Sequence, residues 1–314
     1  MMNVWKKKMI KSYCLLRFQP FLSLFAGVKD SIILGTGFPS EHFYHMLLHE
    51  NCKKEVKKVM KTIIGILMFV LLVGTMVFAT DANEIVGDDG APMILVPVGE
   101  FIMGLPGAEK TVHLKTYYID KYEVTVSQFK KFVKATGYVT TAERLGYTFD
   151  FRGKYYGFSW KNPNYKSYSD KHPVTCVSPE DAEAYAKWVG KRLPTEAEWE
   201  KAARGADGRK YPWGNEIPTF RKVGNFGGEK GPEVVGSYPK GASSYGCLDM
   251  IGNLWEWSYS EEQQGDKKYA YRGGSFESSG EMITVYYKHS RLGYVRSNYT
   301  SKHCVTIRCV KDAE

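Results

Sequence analysis

The segment Gly246–Trp257 reads GCLDMIGNLWEW, and the segment Arg272–Phe276 downstream reads RGGSF. Trp255 and Trp257 are two positions apart, so they share a face in a strand but not in a helix. Gly252–Asn253 is a dipeptide that tolerates positive φ, which places a sharp bend just before the aromatic pair. The pattern therefore predicts a tight turn that leads into a strand.

Asp249 stands beside the predicted turn. A short acid next to a glycine-relaxed backbone, whose carbonyl groups can point inward, offers oxygen ligands to a cation. Ca²⁺ takes about six to eight such oxygens. The alternative is an Asx turn in which Asp249 caps its own loop. The residues alone leave both interpretations open.

Two further motifs precede this segment: KRLPTEAEWEKAARG at Lys191–Gly205 and YPWGNE at Tyr211–Glu216. In this order, the four motifs resemble the formylglycine-generating enzyme (sulfatase-modifying factor) family over Met93 to Asp312. The resemblance implies an α+β fold, the irregular formylglycine-generating-enzyme fold, which is a variant of the C-type-lectin-like fold. Few helices, short strands and much loop are expected.

Capping residues predict three helix starts. Thr125 with Gln128 and Thr195 with Glu198 form capping boxes, and Ser178 precedes a proline at the first helical position. Glycines that follow each apolar pattern mark the C-terminal ends of these helices. We expect the helices after Ser178 and Thr195 to form core rather than to carry chemistry.

The segment 143–170 is rich in Tyr, Gly, Lys and Ser and has no helical period. This composition predicts a long loop with short strands. Its aromatic side chains either line a binding groove or cover an irregular core. They include Tyr147, Phe149, Phe151, Tyr155, Tyr156, Phe158 and Trp160.

The N-terminal region has the pattern of an export signal. Residues 1–59 show no sustained hydrophobic period, and we interpret them as a mis-called N-terminal extension with Met60 as the natural start. The basic stretch Lys53–Lys61 precedes the uncharged run Thr62–Thr80, which is typical of a secretory signal peptide at 60–80. An uncleaved signal anchor is the alternative, because about 18 apolar residues can span a bilayer.

These assignments predict an exported protein, periplasmic or extracellular, that contacts a membrane only through an uncleaved N-terminal segment. A polar linker is expected at 81–92 and one domain at 93–314. Residues 1–61 carry eleven Lys/Arg against four Asp/Glu, whereas the rest of the chain carries 32 basic and 30 acidic residues. A nucleic-acid partner is therefore not expected, since it requires a strongly basic domain.

The family resemblance also implies which residues would carry oxidase chemistry. Formylglycine-generating enzymes oxidise a sulfatase cysteine with Cu(I), which two cysteine thiolates bind a few residues after the GGS motif. The two positions here are Ser278 and Ile283, and neither side chain is a soft ligand of the kind that Cu(I) selects. Copper is therefore not expected. Cys304 and Cys309 match a different part of the family pattern.

Calcium is the metal that the resemblance favours. It implies a structural Ca²⁺ site at Asp249, Met250, Gly252 and Leu254, with Asp249 as the side-chain ligand and backbone carbonyls as the others. A second family site begins at Asn225 and Phe226. The loop after that pair is shortened, and Glu229 is the candidate for the missing acid.

Two other features are weak. His45, His49 and Glu50 approximate the HxxxHxE iron motif of a sulfoxide-forming branch of the superfamily, but that branch needs a separate helical domain, so we reject the match. The domain has four cysteines whose pairing the sequence leaves open: Cys176, Cys247, Cys304 and Cys309. The resemblance implies a disulfide for Cys309, yet the position of its family partner is Ala186.

The sequence therefore predicts an exported binding or scaffold protein without formylglycine-generating oxidase activity. Its ligand would be a protein or a glycan of unknown identity. Two alternatives remain: an oxidoreductase of the sulfatase-modifying factor family, which converts a protein cysteine to formylglycine, and an enzyme of unrecognised chemistry.

Overall fold

The structure is a computed structural model. It describes residues 57–58, 61–62, 83–150, 153–218, 221–228, 230–260, 269–289 and 305–313. The fold below belongs to the compact unit Thr80–Glu314.

Four helices lie in these ranges, and each begins at a capping box in which the N-cap hydroxyl accepts the N3 amide hydrogen. The three predicted helix starts are confirmed. The structure adds a helix of five residues that overlaps the start of the predicted loop 143–170 and is too short to show a hydrophobic period. The helices are α1 Val126–Thr136, α2 Thr141–Leu145, α3 Pro179–Trp188 and α4 Glu196–Arg204.

The strands are short, as predicted. They are β1 Glu84–Val86, β2 Pro92–Val96, β3 Gly99–Met103, β4 Lys110–Leu114, β5 Tyr117–Asp120, β6 Tyr147–Asp150, β7 Gly153–Tyr156, β8 Trp255–Tyr259, β9 Tyr269–Arg272, β10 Lys288–His289, β11 Val305–Thr306 and β12 Val310–Asp312. Short 3-10 helices occur at Pro239–Gly241 and Gly280–Ile283.

Two four-stranded sheets organise the domain. The first has the order β1-β2-β5-β12 with antiparallel neighbours. The second has the order β10-β9-β8-β11, in which only the β8–β11 pair is parallel. The pairs β3–β4 and β6–β7 form separate two-stranded sheets. The domain is thus α+β, with long stretches of irregular chain, as the sequence predicts.

The predicted aromatic strand is β8, and both of its faces are buried. Trp255 and Trp257 pack with α1 and α3 in one hydrophobic core. Glu256 points to the opposite face, where the indole Nε1 of Trp199 donates to its carboxylate at 2.6 Å. A second core of α4, the first sheet and the loops around Met250 lies on that side. The strand therefore separates two cores instead of covering one.

Glu256 also forms a fully buried ion pair with Arg308. The guanidinium donates to both carboxylate oxygens at 2.7 Å, and it donates further to the carbonyl oxygens of Asp120 and Leu248. Because both side chains of the pair are charged and buried, their hydrogen bonds must offset the cost of desolvation. This network ties β8 to the ends of β5 and β11.

The segment 81–92, which is predicted to be a polar linker, packs on the domain over its described residues, 83–92. Strand β1 pairs with β2, and Asp89 is buried. The ammonium of Lys191 lies 2.9 Å from the carboxylate of Asp89 and 2.8 Å from that of Asp120, while Tyr185 donates to Asp89 at 2.7 Å. A tertiary ion pair therefore orders a segment that has the composition of a loop.

The electrostatics of this cluster depend on Lys191. Burial raises the pKa of Asp120 to about 6, although Lys191 acts in the opposite direction. Burial alone would also raise the pKa of Asp89, but Lys191 and the Tyr185 hydroxyl outweigh it and the pKa is lowered. The Lys191 ammonium thus offsets the negative charge of two buried carboxylates.

The predicted export segment lies almost wholly outside the described residues. Within the described ranges, none of the helices is both long enough and apolar enough to cross a membrane. Cleavage, anchoring and the extension at 1–59 remain predictions.

Replacing Lys191 should destabilise the domain severely. Lys191→Met leaves two buried acids without their cation, and we expect a loss of about 3 to 5 kcal/mol in the free energy of unfolding. Urea unfolding followed by tryptophan fluorescence measures this loss. Lys187→Met, at an exposed position on α3, is the control and should stay within about 0.5 kcal/mol of wild type. Equal midpoints for the two variants would contradict the role of Lys191.

Candidate functional site

The turn before β8 has the left-handed backbone that the sequence predicts. Asp249 has φ 58°, Gly252 has φ 87° and Asn253 has φ 55°. Gly252 is required for a second reason, because a Cβ at this position would lie 2.3 Å from the carbonyl oxygen of Asn225. The close approach of two backbone segments thus fixes both the bend and the residue.

Side chains of this turn hold the irregular segment 231–236, which we call the strap. The Asn253 amide oxygen accepts the Glu233 amide hydrogen at 2.8 Å, and the Asp249 carboxylate accepts that of Gly236 at 2.6 Å. The Asn253 nitrogen donates to the buried Glu123 carboxylate at 2.6 Å. The turn is therefore the anchor of the strap.

Glu123 completes the anchor, and the sequence analysis missed it. Its other carboxylate oxygen accepts the amide hydrogen of Leu254 at 3.1 Å. Glu123 and Leu254 are 131 positions apart, so no local pattern could have paired them. The GN dipeptide shows that Asn253 can adopt positive φ, but not what its side chain binds.

Three buried carboxylates lie close to one guanidinium here. Burial raises the pKa of Glu123, and the charges of Asp249 and Glu256 raise it further. Burial likewise raises the pKa of Asp249 to about 6, although the Gly236 hydrogen bond and Arg308 oppose this rise. With Arg308 paired to Glu256, the site has an excess of negative charge when its acids are ionised.

The two predicted calcium sites adjoin each other. The backbone N–H of Asn253 donates to the backbone carbonyl of Asn225 at 2.7 Å. The side-chain amide of Asn225 donates to the carbonyl of Gly231 in the strap. The ring of Phe226 stacks on Trp213 with a centroid distance of 6.4 Å. The structure thus brings Asn225 to the Asp249 turn, while Glu229 lies outside the described residues.

The residues of the Asp249 site fit a hard cation in charge. The carboxylate is buried, has a strap amide as its hydrogen-bond partner and lies beside a second acid. The backbone carbonyl of Met250 faces Gly273, where a Cβ would lie 2.7 Å from the oxygen. Within the described ranges, no group of three or more His, Cys, Asp or Glu side chains is arranged for a metal. Backbone carbonyls, including those of Gly252 and Leu254, would have to supply most ligands.

Ser278 and Ile283, which the family resemblance assigns to the thiolate positions, are both used for packing. Ser278 is buried, and its hydroxyl oxygen accepts the amide hydrogen of Ser275 at 2.9 Å. Ile283 is buried in the second core. The turn 275–283 is therefore closed by a hydroxyl–backbone bond and an aliphatic contact.

The three described cysteines of the domain are buried: Cys176, Cys247 and Cys309. Cys247 and Cys309 are free thiols. Burial, together with the neighbouring Asp120 carboxylate, raises the pKa of Cys309 well above its usual range. Burial raises the pKa of Cys247 to about 11. Both groups are thus held as thiols rather than thiolates. Cys304 lies outside the described residues, so pairings that involve it remain open.

The predicted aromatic loop divides into buried and exposed parts. Trp160 is buried and packs edge-on against Phe129 of α1 at 5.3 Å. Tyr156 on β7 is 71% exposed. Trp160 thus covers the core, as one interpretation has it, whereas a binding groove lined by this loop stays a prediction.

Comparison with known proteins identifies the family. The model of the sulfatase-modifying factor enzyme 1-like domain matches residues 80–313. The chain belongs to this family. The match also includes β1, which lies in the segment that is predicted to be a linker.

Family members with different names resemble this chain. The formylglycine-generating enzyme of Thermomonospora curvata is 41% identical over 213 residues, which cover 52% of this chain and 70% of that protein. The mouse enzyme is 34% identical, and the match covers 53% of this chain but only 57% of the relative. A cattle protein named inactive C-alpha-formylglycine-generating enzyme 2 is 33% identical, with 56% and 72% coverage.

Solved structures confirm the fold. PvdO from Pseudomonas aeruginosa matches with a TM-score of 0.60 at 21% identity, over 73% of this chain and 98% of that one. CarF matches with a TM-score of 0.51 at 22% identity, over 72% and 100%. At this identity the likeness concerns the fold alone.

Removing the Asn253 side chain should release the strap. Asn253 is buried, and Asn253→Ala removes its hydrogen bonds to Glu233 and Glu123. We therefore expect the free energy of unfolding to fall by about 2 to 3 kcal/mol. Chemical denaturation measures the change. Asn164→Ala is the control, because Asn164 is exposed and also has positive φ (65°). A loss of similar size in both variants would assign the effect to backbone conformation instead.

Proposed function

We propose that this chain is a binding or scaffold protein built on the sulfatase-modifying factor domain, without formylglycine-generating oxidase activity. The observation that carries the proposal is the pair Ser278 and Ile283. Both side chains are buried, one a hydroxyl and one aliphatic, and the family resemblance assigns the two thiolates to their positions. Neither group can replace a soft anionic ligand of Cu(I).

The described cysteines offer no evident substitute for that pair. Cys309 is buried near Asp120 and Lys191, and its raised pKa keeps the sulfur protonated. Reactive and metal-binding sulfur is the thiolate, which needs an electropositive and partly exposed environment. The environment of Cys309 favours a structural role.

The names of the relatives are compatible with either outcome. Proteins named as formylglycine-generating enzymes and proteins named as inactive both match at similar identity. The overall likeness therefore does not distinguish them, and the proposal depends on the side chains in the turn 275–283.

Restoring the thiols tests the assignment of these positions. We expect wild type not to bind Cu(I) in competition with a chromophoric chelator, whereas the variant Ser278→Cys/Ile283→Cys should bind about one equivalent, because two thiolates suit a soft cation. The control Ser279→Cys/Ile283→Cys places one thiol on an exposed neighbour and should bind more weakly. Equal Cu(I) binding by both double variants would show that positions 278 and 283 do not form a specific copper site.

The oxidase remains the second candidate, because the Thermomonospora curvata relative named as that enzyme is 41% identical. The decisive assay is conversion of a sulfatase-type CxPxR peptide to the aldehyde in the presence of copper. We expect wild type to give no product. Product that disappears in Cys304→Ser or Cys309→Ser would overturn the proposal and establish the oxidase.

We further propose that the domain binds one structural Ca²⁺ at the Asp249 turn and that the protein is exported. The excess negative charge around Asp249 and the approach of Asn225 support the metal. The basic stretch and apolar run at 53–80 support export, and an intact anchor would tether the domain to a membrane. The proposed ion would offset the charge of the buried acids and hold the strap.

Chelation should lower the thermal midpoint of wild type measured in millimolar calcium. A ligand that binds only the folded state adds RT ln(1 + [L]/Kd) to its stability, which is about 2.7 kcal/mol at a hundredfold excess over Kd. Asp249→Asn keeps the shape of the side chain and should remove most of the difference between chelated and calcium-loaded samples. If wild type melts at the same temperature under both conditions, Asp249 forms an Asx turn and does not bind calcium.

A further inference from the structure

Exposed lysines gather on one part of the domain. The loop 153–171 packs on α1, since the Trp160 ring lies against Phe129 and the amide of Ser127 donates to the carbonyl of Asp170 at 2.9 Å. We call the lysines of these two elements the basic face. Its members are all exposed: Lys130, Lys131, Lys134, Lys154, Lys161, Lys166 and Lys171.

The charge of this face contrasts with that of the rest of the domain. Residues 126–136 and 153–171 together contain seven lysines and one acid, Asp170. The region from residue 62 onward has 32 basic and 30 acidic residues, so 25 basic and 29 acidic residues remain outside the two segments. Among the described residues, two acids pair with these lysines: Asp170 lies 3.7 Å from Lys130, and Glu143 lies 2.6 Å from Lys161. The face is therefore a positive patch on a domain whose other charges nearly balance.

Aromatic rings lie next to the lysines. Alternation along the β6–β7 hairpin puts Tyr147, Lys154 and Tyr156 on one face, with Thr148 buried on the other. The two tyrosine rings are 5.7 Å apart, and the ammonium of Lys154 lies 4.4 Å from the centre of the Tyr147 ring. The hairpin thus presents apolar ring faces and a cation side by side.

We propose that the basic face and the outer face of the β6–β7 hairpin bind an acidic polysaccharide. Carboxylate or sulfate groups would pair with the lysines, and sugar rings would pack on Tyr147 and Tyr156. This proposal deepens the binding role above by naming the class of ligand, and it rests on that role.

Charge density favours a polysaccharide over other polyanions. Double-stranded DNA carries one charge per about 1.7 Å of axis, and a protein that binds it needs a strongly basic domain, whereas this domain has 32 basic and 30 acidic residues from residue 62 onward. An acidic peptide satisfies the lysines but gives the tyrosines no ring to pack on. A membrane surface would need large apolar side chains to insert, whereas this face combines lysines with tyrosines.

Titration calorimetry of the full chain with polygalacturonate tests the proposal, with neutral dextran as the reference polymer. We expect binding to polygalacturonate alone, and weaker binding when salt rises from about 50 to 300 mM, because ions screen exposed charges. Lys154→Glu/Lys166→Glu should weaken binding about tenfold. Lys115→Glu/Lys240→Glu is the matched control, with the same charge change at exposed positions outside the face, and should bind like wild type.

Tyr156→Ala separates ring packing from charge. It should weaken binding about threefold at both salt concentrations, because packing is not screened. Unchanged melting temperatures confirm that these surface variants fold. Tyr156→Ala binding as wild type, equal losses in the two double variants, or no binding to polygalacturonate would overturn the proposal. Tighter binding to single-stranded DNA or polyglutamate would overturn it in favour of that class. The peptide oxidation assay is independent of all these results, so failure here leaves the non-oxidase proposal standing.

Discussion

The ion pair between Arg308 and Glu256 is the interaction on which the rest of the domain depends. It is buried between β8 and the C-terminal segment, and its hydrogen bonds reach the backbone of Asp120 and Leu248 and the indole of Trp199. Because a buried charge without its partner costs several kcal/mol, these groups can only be buried together. One guanidinium thereby fixes the relative positions of elements from the beginning, middle and end of the domain.

The same reasoning explains how a chain with so little regular structure keeps one conformation. Side chains replace the missing sheet and helix hydrogen bonds. Asn253 and Asp249 hold the strap, and the ion pair of Asp89 with Lys191 holds the segment between β1 and β2. Buried backbone groups must find partners, and here side chains of other segments provide them. Near the Asp249 turn the buried acids outnumber the cations, and our proposal of a calcium ion at this turn rests on that imbalance.

Function on this framework depends on few residues. The family contains proteins named as enzymes and proteins named as inactive, and the fold is shared with structures only about one-fifth identical. In this chain Ser278 and Ile283 of the turn 275–283 are buried, whereas the loop 153–171 carries four exposed lysines and the exposed Tyr156. The framework and the chemistry placed on it are therefore separable, and the proposed role of this chain lies on its surface.

Sequence alone determined what depends on near neighbours. The capping boxes at Thr125 and Thr195, the bend at Gly252–Asn253 and the strand at Trp255–Trp257 follow from residues within one turn or one strand, and all are confirmed. The motif order identified the family, and with it the fold. Each of these features is specified by local backbone preference or by a pattern of adjacent side chains.

Only the tertiary structure decided which distant groups meet. Glu123 reaches the turn before β8 across 131 positions, and Lys191 orders the segment around Asp89 across 102. The polar composition of residues 81–92 predicted a linker because composition reports average solubility, whereas one ion pair formed on folding outweighs it. Whether Glu256 faces solvent or a second core was equally hidden, since alternation gives the side of a strand but not what covers that side.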